Sequence, residues 1–287
     1  MPLFDTHCHY NLNPLDTDWQ EHWHLAQKNN ITHSIVVGTD HETSARALEI
    51  ASHDANLSAS VGYHPGYFQE HSDQFISDQT ILTTNCEQHL QTITTSLENL
   101  ITRNPIAIGE IGLDFYRLRS KGLKRGVLIN LQEEALKKQL KIAHKHQLPV
   151  ILHVRDQEDR THDTAYSSVL KILEKQTPAK FVLHCASGPI DYIQKALEMG
   201  AYIGFDGNLT YESADHLRKI FEITPKERVL LETDAPYLAP GLHRGNVCEP
   251  WMITETAHYM REELGADLEQ IYQNSFLFFD ITKNHIQ

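Results

Sequence analysis

The sequence has no run of about 18 consecutive apolar residues, so no membrane-spanning helix is expected. Its opening, MPLFDTHCHY, has neither the basic stretch nor the apolar core of a secretory leader, and the cytoplasm is the expected compartment. Cysteine is scarce. Cys8, Cys86, Cys185 and Cys248 are scattered, and no two form a CxxC pair. That argues against a disulfide framework or a zinc–thiolate site, and free thiols are expected. Positive charge is also short: 25 lysines and arginines against 38 aspartates and glutamates leave a formal net charge of −13. Such a balance opposes non-specific adhesion to a long phosphate backbone. It leaves open a nucleic-acid enzyme whose metal ions supply the positive charge. No internal repeat, low-complexity tract or inter-domain linker is visible.

What is present is a globular pattern, 40% hydrophobic and 22% charged. Eight short, β-branched apolar runs recur, at 2–9, 33–39, 57–65, 105–114, 149–156, 180–187, 201–207 and 228–236. Segments with helical periodicity separate most of them. Strands alternating with helices imply a parallel sheet. At 287 residues, closure into a (β/α)8 TIM barrel, a single α/β domain over 1–287, is the expected solution. An open doubly wound sheet would carry a Gly-rich phosphate turn after its first strand, and THCHYNLNP has none. Two connections, 65–84 and 115–130, look longer than packing requires. They are expected as long loops on the C-terminal face of the barrel, where function sits.

The chain has 19 histidines, so position must choose among them. His7 and His9 end the first run, and side chains two apart on a strand share a face. His64 ends the third run, Glu110 lies in the fourth, His153 in the fifth, His184 in the sixth, and Glu232 and Asp234 in the eighth. In a parallel barrel these positions converge on one rim. Singly, such a histidine is more often a hydrogen-bonded packing residue than a ligand. Glu110 differs, because an unpaired glutamate in the apolar stretch IAIGEIGLD is expensive to bury. Imidazole and carboxylate together suit zinc, manganese or iron, and carboxylates alone suit magnesium. His7, His9, Glu110, His153, His184 and Asp234 exceed the demand of one ion, and two divalent ions (Zn, Mg or Mn) bridged by Glu110 account for them.

DTHCH, VGYHP, GEIGLDFY, PVILHVRD, HCASG and LLETDAPYLAP, in that order, resemble the successive signatures of the TatD family of metal-dependent deoxyribonucleases. The resemblance runs from about residue 4 to 250. It implies an amidohydrolase-type TIM barrel that hydrolyses phosphodiesters with metal-activated water, on the ends of DNA that is preferably single-stranded. It implies one ion on His7, His9, Glu110 and Asp234, and a second on Glu110, His153 and His184. His64 and Arg155 would sit where the family places phosphate contacts. Ala186 stands where the family often has an aromatic residue. RGNVCEP departs from the usual stretch, with Asn246 displaced and Cys248 before Glu249. These departures bear on substrate preference.

Asp234 is expected as ligand and general base, with Glu110 and Glu232 beside it as catalytic candidates. Glu232, two residues before Asp234, would orient a ligating histidine or water, or else pair with a nearby lysine or arginine. Arg155 shares a face with His153, and its guanidinium suits a phosphate. Phe115 and Tyr116 would either stack on a base or pack. RLRSKGLKR places Arg117, Arg119, Lys121, Lys124 and Arg125 within nine residues of an acidic chain, an expected nucleic-acid contact or else a solvated loop. Two other functions compete. One is an amidase, lactonase or deaminase on the same barrel. Binuclear members of that group often bridge their ions with a carboxylated lysine on the fourth strand, where this chain has Glu110. The other is a metal-bearing subunit that binds a protein partner.

Overall fold

The computed structural model describes residues 1–74, 83–118, 121–156 and 164–282. Eight strands follow one another: β1 (Leu3–Cys8), β2 (Ile31–Val37), β3 (Leu57–Val61), β4 (Ala107–Asp114), β5 (Val150–Arg155), β6 (Phe181–Leu183), β7 (Tyr202–Phe205) and β8 (Val229–Leu231). Each pairs in parallel with the next in sequence order. The last turns back onto the first. Cys8 and Ala235 form a parallel bridge, the Asp234 N–H donates to the His7 carbonyl at 2.9 Å, and the His9 N–H donates to the Ala235 carbonyl at 2.8 Å. The sheet is thus a closed (β/α)8 barrel, as its alternating runs imply.

The strands are shorter than the apolar runs that announce them. β6 and β8 have three residues each, and His184, Glu232 and Asp234 lie just past their ends. The remaining apolar residues there pack in loops. The order of helices is α1 (Trp19–Lys28), α2 (His41–Ala51), α3 (Gly66–Glu70), α4 (Thr83–Ile101), α5 (Gly122–His146), α6 (Ala165–Leu173), α7 (Ile190–Glu198), α8 (Asp215–Ile223), α9 (Ile253–Leu264) and α10 (Leu268–Phe279). Two of them begin with reciprocal caps. Asp40 and Thr43 close the start of α2, and Thr164 and Ser167 close the start of α6.

Both expected long loops are partly helical. α3 occupies part of 65–84, of which 75–82 lie outside the described residues. α5 begins at Gly122, so the connection after β4 is much shorter than 115–130. The two glycines and the basic residues there suggest a loop. Leu128, Leu131 and Ala135, at helical spacing and buried, override them.

The core explains why one end of the barrel is free for chemistry. Phe4, Ile35, Ile151, Val182 and Leu230 from the strands pack with Tyr272, Phe276 and Phe279 of α10. The Asn274 amide donates to the carbonyls of Lys226 and Val229, and Lys180 reaches the Leu277 carbonyl. All three anchor points lie at strand starts, so α10 stoppers the N-terminal end. A larger apolar group fills the layer between sheet and helices. The polar side chains gather at the other end.

Candidate metal centre

Two backbone irregularities aim the ligands. Along β4, Ile108 pairs with Val150 and Ile111 with Leu152, so β4 carries one residue more than β5 over that interval. Along β1, Asp5 pairs with Ser34 and Cys8 with Val36, again one residue extra. Bulges of this kind redirect a side chain, and they fall at Glu110 and His7. Gly112, at φ 150°, makes the β4–β5 contact possible: a Cβ there would lie 1.8 Å from the His153 carbonyl oxygen. Asp234 and Cys185 hold left-handed backbone at φ 56° and 49°, a conformation that side-chain-bearing residues keep only where surroundings enforce it.

The side chains meet as the barrel geometry requires. His7 Nε2 and His9 Nε2 are 3.2 Å apart. Asp234 Oδ1 lies 3.6 and 3.3 Å from them, and Glu110 Oε2 lies 3.7 and 3.9 Å away. Four donors bound at about 2.1 Å in a tetrahedron are separated by about 3.4 Å. The five measured edges straddle that value, so these residues fit a divalent ion. The other oxygen of Glu110 faces a second group. Oε1 is 2.7 Å from His153 Nδ1, 3.0 Å from His184 Nε2 and 3.5 Å from His64 Nε2. Among the described residues, the ligand-atom triads close enough to hold an ion are His7–His9–Asp234, His7–Glu110–His184 and His64–Glu110–His153.

Neighbours of the rings separate ligand from non-ligand. His9 Nδ1 faces the Val37 carbonyl at 2.9 Å, so its proton belongs there and Nε2 keeps a free lone pair. His184 Nδ1 faces Glu232 Oε1 at 3.4 Å, which points its Nε2 lone pair at the centre. His153 repeats the pattern with its atoms exchanged: Nδ1 meets Glu110, and Nε2 lies 3.4 Å from Asp114 Oδ2. His64 is the reverse case. Its Nδ1 accepts the Gly66 N–H at 2.9 Å, so a neutral ring carries its proton on Nε2, toward the centre. Burial lowers its pKa to about 3, so the ring is neutral at pH 7. That makes His64 a hydrogen-bond donor to an anion and a poor ligand.

The carboxylates are ionised despite burial. Burial pushes Glu110 up, but in the metal-free site the neighbouring imidazoles, His184 foremost and His153 with it, outweigh it and hold it well below the usual range. Asp234 is likewise raised by burial and, while no ion is bound and the imidazoles can carry protons, brought below its ordinary value by His9, His184 and His7.

Glu232 is fully buried behind His184 and accepts the Cys185 N–H at 2.5 Å. Among the described residues its ion-pair partner is this histidine, not a lysine or arginine. Gly204 leaves room for it, since a Cβ there would come within 2.3 Å of Glu232 Oε2. Asp114 has no role in the sequence reading. Its signal is the alternation Glu110–Gly112–Asp114 along β4, which puts both carboxylates on one face. Asp5 is the other residue passed over. It accepts the Thr233 hydroxyl at 2.7 Å, the Thr233 N–H at 3.0 Å and the His7 N–H at 3.3 Å, tying β1 to the end of β8.

A cleft of about 1150 Å³ opens above the centre, and His64, Asp234, Arg117 and Arg155 line it. Arg155 lies with its guanidinium 4.3 Å from the Tyr116 ring centroid, while Phe115 is buried packing. Of the basic group, Lys121 and Lys124 are exposed. Arg125 turns inward, donating to the Leu118 and Phe115 carbonyls at 2.8 and 3.0 Å. Arg119 lies outside the described residues. Ala186 and Asn246 both line the cleft, and Cys248 is buried.

Barrel and donor set together fit a metal-dependent hydrolase. More narrowly, the chain belongs to the TatD-related DNase family, whose model matches residues 4–279. It is 29% identical over 271 residues to the metal-dependent hydrolase YabD of Bacillus subtilis, covering 94% of each chain. A metal-dependent hydrolase of Mycoplasma pneumoniae is 31% identical over 281 residues, with 94% of this chain and 93% of that one covered. The crystal structure of YjjV, a TatD homologue from Escherichia coli, superposes with a TM-score of 0.76 at 27% identity and 98% coverage of both chains. The fold is shared by a TatD-family hydrolase of Entamoeba histolytica, with a TM-score of 0.75, 20% identity, and 98% and 99% of the chains covered. Among the described residues no helix is long and apolar enough to cross a membrane.

Proposed function

We propose that the protein is a two-metal phosphodiesterase that acts on the ends of single-stranded DNA. The observation that carries this reading is the division of the donors by the two oxygens of Glu110. Oε2 faces His7 and His9, and Oε1 faces His153 and His184. His7, His9, Asp234 and Glu110 would hold one ion, and Glu110, His153 and His184 the other. Bound divalent ions supply an activated water and offset the charge of the phosphoryl oxygens. Asp234, ionised and at the cleft surface, accepts the proton released as the phosphodiester is attacked. His64 donates from Nε2 to a phosphate oxygen. Arg155 and Arg117 supply positive charge along the cleft wall. Glu232 and Asp114 hold the rings of His184 and His153 in register.

Support for DNA as substrate comes from the family description and from a cleft that joins arginines to exposed tyrosine. The test is a nuclease assay on 3′-labelled single-stranded DNA, titrated separately with Mg, Mn and Zn, alongside metal analysis. Cleavage that appears with metal and disappears with chelator is expected. Intact DNA under all three metals, with a control nuclease active in the same buffer, defeats the reading.

A further inference from the structure

Two tyrosines stand unusually open in the cleft. Tyr116 follows β4 and Tyr237 follows β8, each is 50% exposed, and both line the cleft. In an eight-strand closed barrel β4 and β8 are half a turn apart, so the segments that carry the two tyrosines enter the cleft from opposite sides of the rim. Each is held in place. The Arg155 guanidinium lies against the Tyr116 ring at 4.3 Å. The Tyr237 N–H donates to the Asp234 carbonyl at 2.8 Å, and its ring meets the His9 ring edge-on at 6.2 Å between centroids. Tyrosine normally hides most of its ring in packing. Two fixed, half-open rings beside a reaction centre are suited to flat apolar ligands.

We infer that Tyr116 and Tyr237 are stacking platforms for the two nucleobases on either side of the phosphodiester that is cut. The inference rests on the DNA reading above and adds how the substrate is chosen. Bases in a duplex are already stacked on their neighbours and cannot lie against two rings carried by opposite sides of the rim. A dinucleotide step with its bases splayed apart can do so, with its phosphate held between them. Selection for unpaired DNA then comes from the tyrosines and not from the ions, and it is tolerant of sequence because every base has a π-face.

The test compares wild type with Tyr116→Leu, Tyr116→Phe, Tyr237→Leu and Tyr237→Phe in the metal-loaded full chain. KM and kcat are measured on a single-stranded oligonucleotide, and equilibrium binding of the same oligonucleotide is followed by fluorescence anisotropy. A matching oligonucleotide with abasic sites on both sides of the cut is run in parallel. Each leucine variant is expected to weaken binding and raise KM on the order of tenfold, with phenylalanine restoring most of the loss. On the abasic oligonucleotide the ratio of variant to wild type is expected to fall toward one. Leucine variants that bind and cleave like wild type overturn the inference, and so does an equal loss on normal and abasic DNA. A wild type that binds DNA through these tyrosines without cutting it overturns the nuclease reading and leaves the platforms standing.

Discussion

At the scale of single residues, the site is organised by what stands behind each imidazole. Asp114 is buried, and its Oδ2 faces His153 Nε2 at 3.4 Å and Arg117 Nε at 3.5 Å. Removing its charge leaves the ring less basic and less firmly aimed. Asp114→Asn keeps the acceptor for the Arg117 N–H, so the fold is expected to survive. Metal affinity should fall about 10–100-fold. A competition titration against a metal-sensitive dye measures this, and unchanged affinity would remove Asp114 from the site. Asp206 tests burial beside the ligand shell. It has no exposed surface, and burial, helped by the Glu232 charge, pushes its pKa up to about 7. A raised carboxyl holds its proton more tightly folded than unfolded. Its contribution to stability is complete below about pH 4 and is lost as pH rises through 7. In metal-free protein, Asp206→Asn keeps an acceptor for the Asn208 N–H and removes this slope. Between pH 5 and 8 the variant should gain about 1–3 kcal/mol on wild type, since each unit is worth about 1.4. Urea unfolding at the two pH values decides it, and parallel profiles would refute it.

At the scale of elements, the strands were legible because buried parallel strands are short apolar runs set between amphipathic segments. Order and closure followed from their number. The bulges at His7 and Glu110 were not legible, since an extra residue leaves no mark on hydropathy. The argument that side chains two apart share a face reached the right juxtaposition for His7 and His9, although β1 ends at Cys8 and is bulged. The start of α5 was hidden by Gly122 and Gly126, whose low helix propensity the buried leucines outweigh. Asp114 shares its face of β4 with Glu110, but nothing in the hydropathy of the strand sets it apart as part of the site. Gly112 shows how tightly one element constrains the next. Gly112→Ala places a methyl group against the His153 carbonyl in a backbone region hostile to side chains. A loss of more than about 2 kcal/mol is expected, with a lower melting temperature in metal-free and metal-loaded protein alike. A variant melting with wild type would mean that β4 and β5 can separate there without cost.

At the scale of the whole molecule, the formal charge of −13 and a phosphate substrate are in tension. The tension is relieved locally. Metal ions would carry positive charge at the centre, Arg117 lines the cleft, and the exposed Lys121 and Lys124 follow it in sequence at the start of α5. Arg117 is the nearest of them. Its N–H donates to Asp114 Oδ1 at 2.9 Å, and its side chain is 55% exposed. Arg125, close in sequence, is committed to two carbonyls and serves the loop instead. Long-range attraction by these three side chains is screened within about 8 Å at physiological salt, so they act only on phosphates that reach the rim. If DNA lies across them, each phosphate neutralised releases counterions, and binding weakens linearly on a log–log salt plot. For single strands the slope is about 0.7 per phosphate. Replacing Arg117, Lys121 and Lys124 together by glutamine should therefore reduce the slope by up to about 2 while metal content stays at the wild-type level. Binding isotherms from 50 to 300 mM salt, on the order of the range where such slopes are resolved, provide the measurement. A slope equal to that of wild type would place the DNA backbone elsewhere on the rim and leave Arg155 and the ions as its positive contacts.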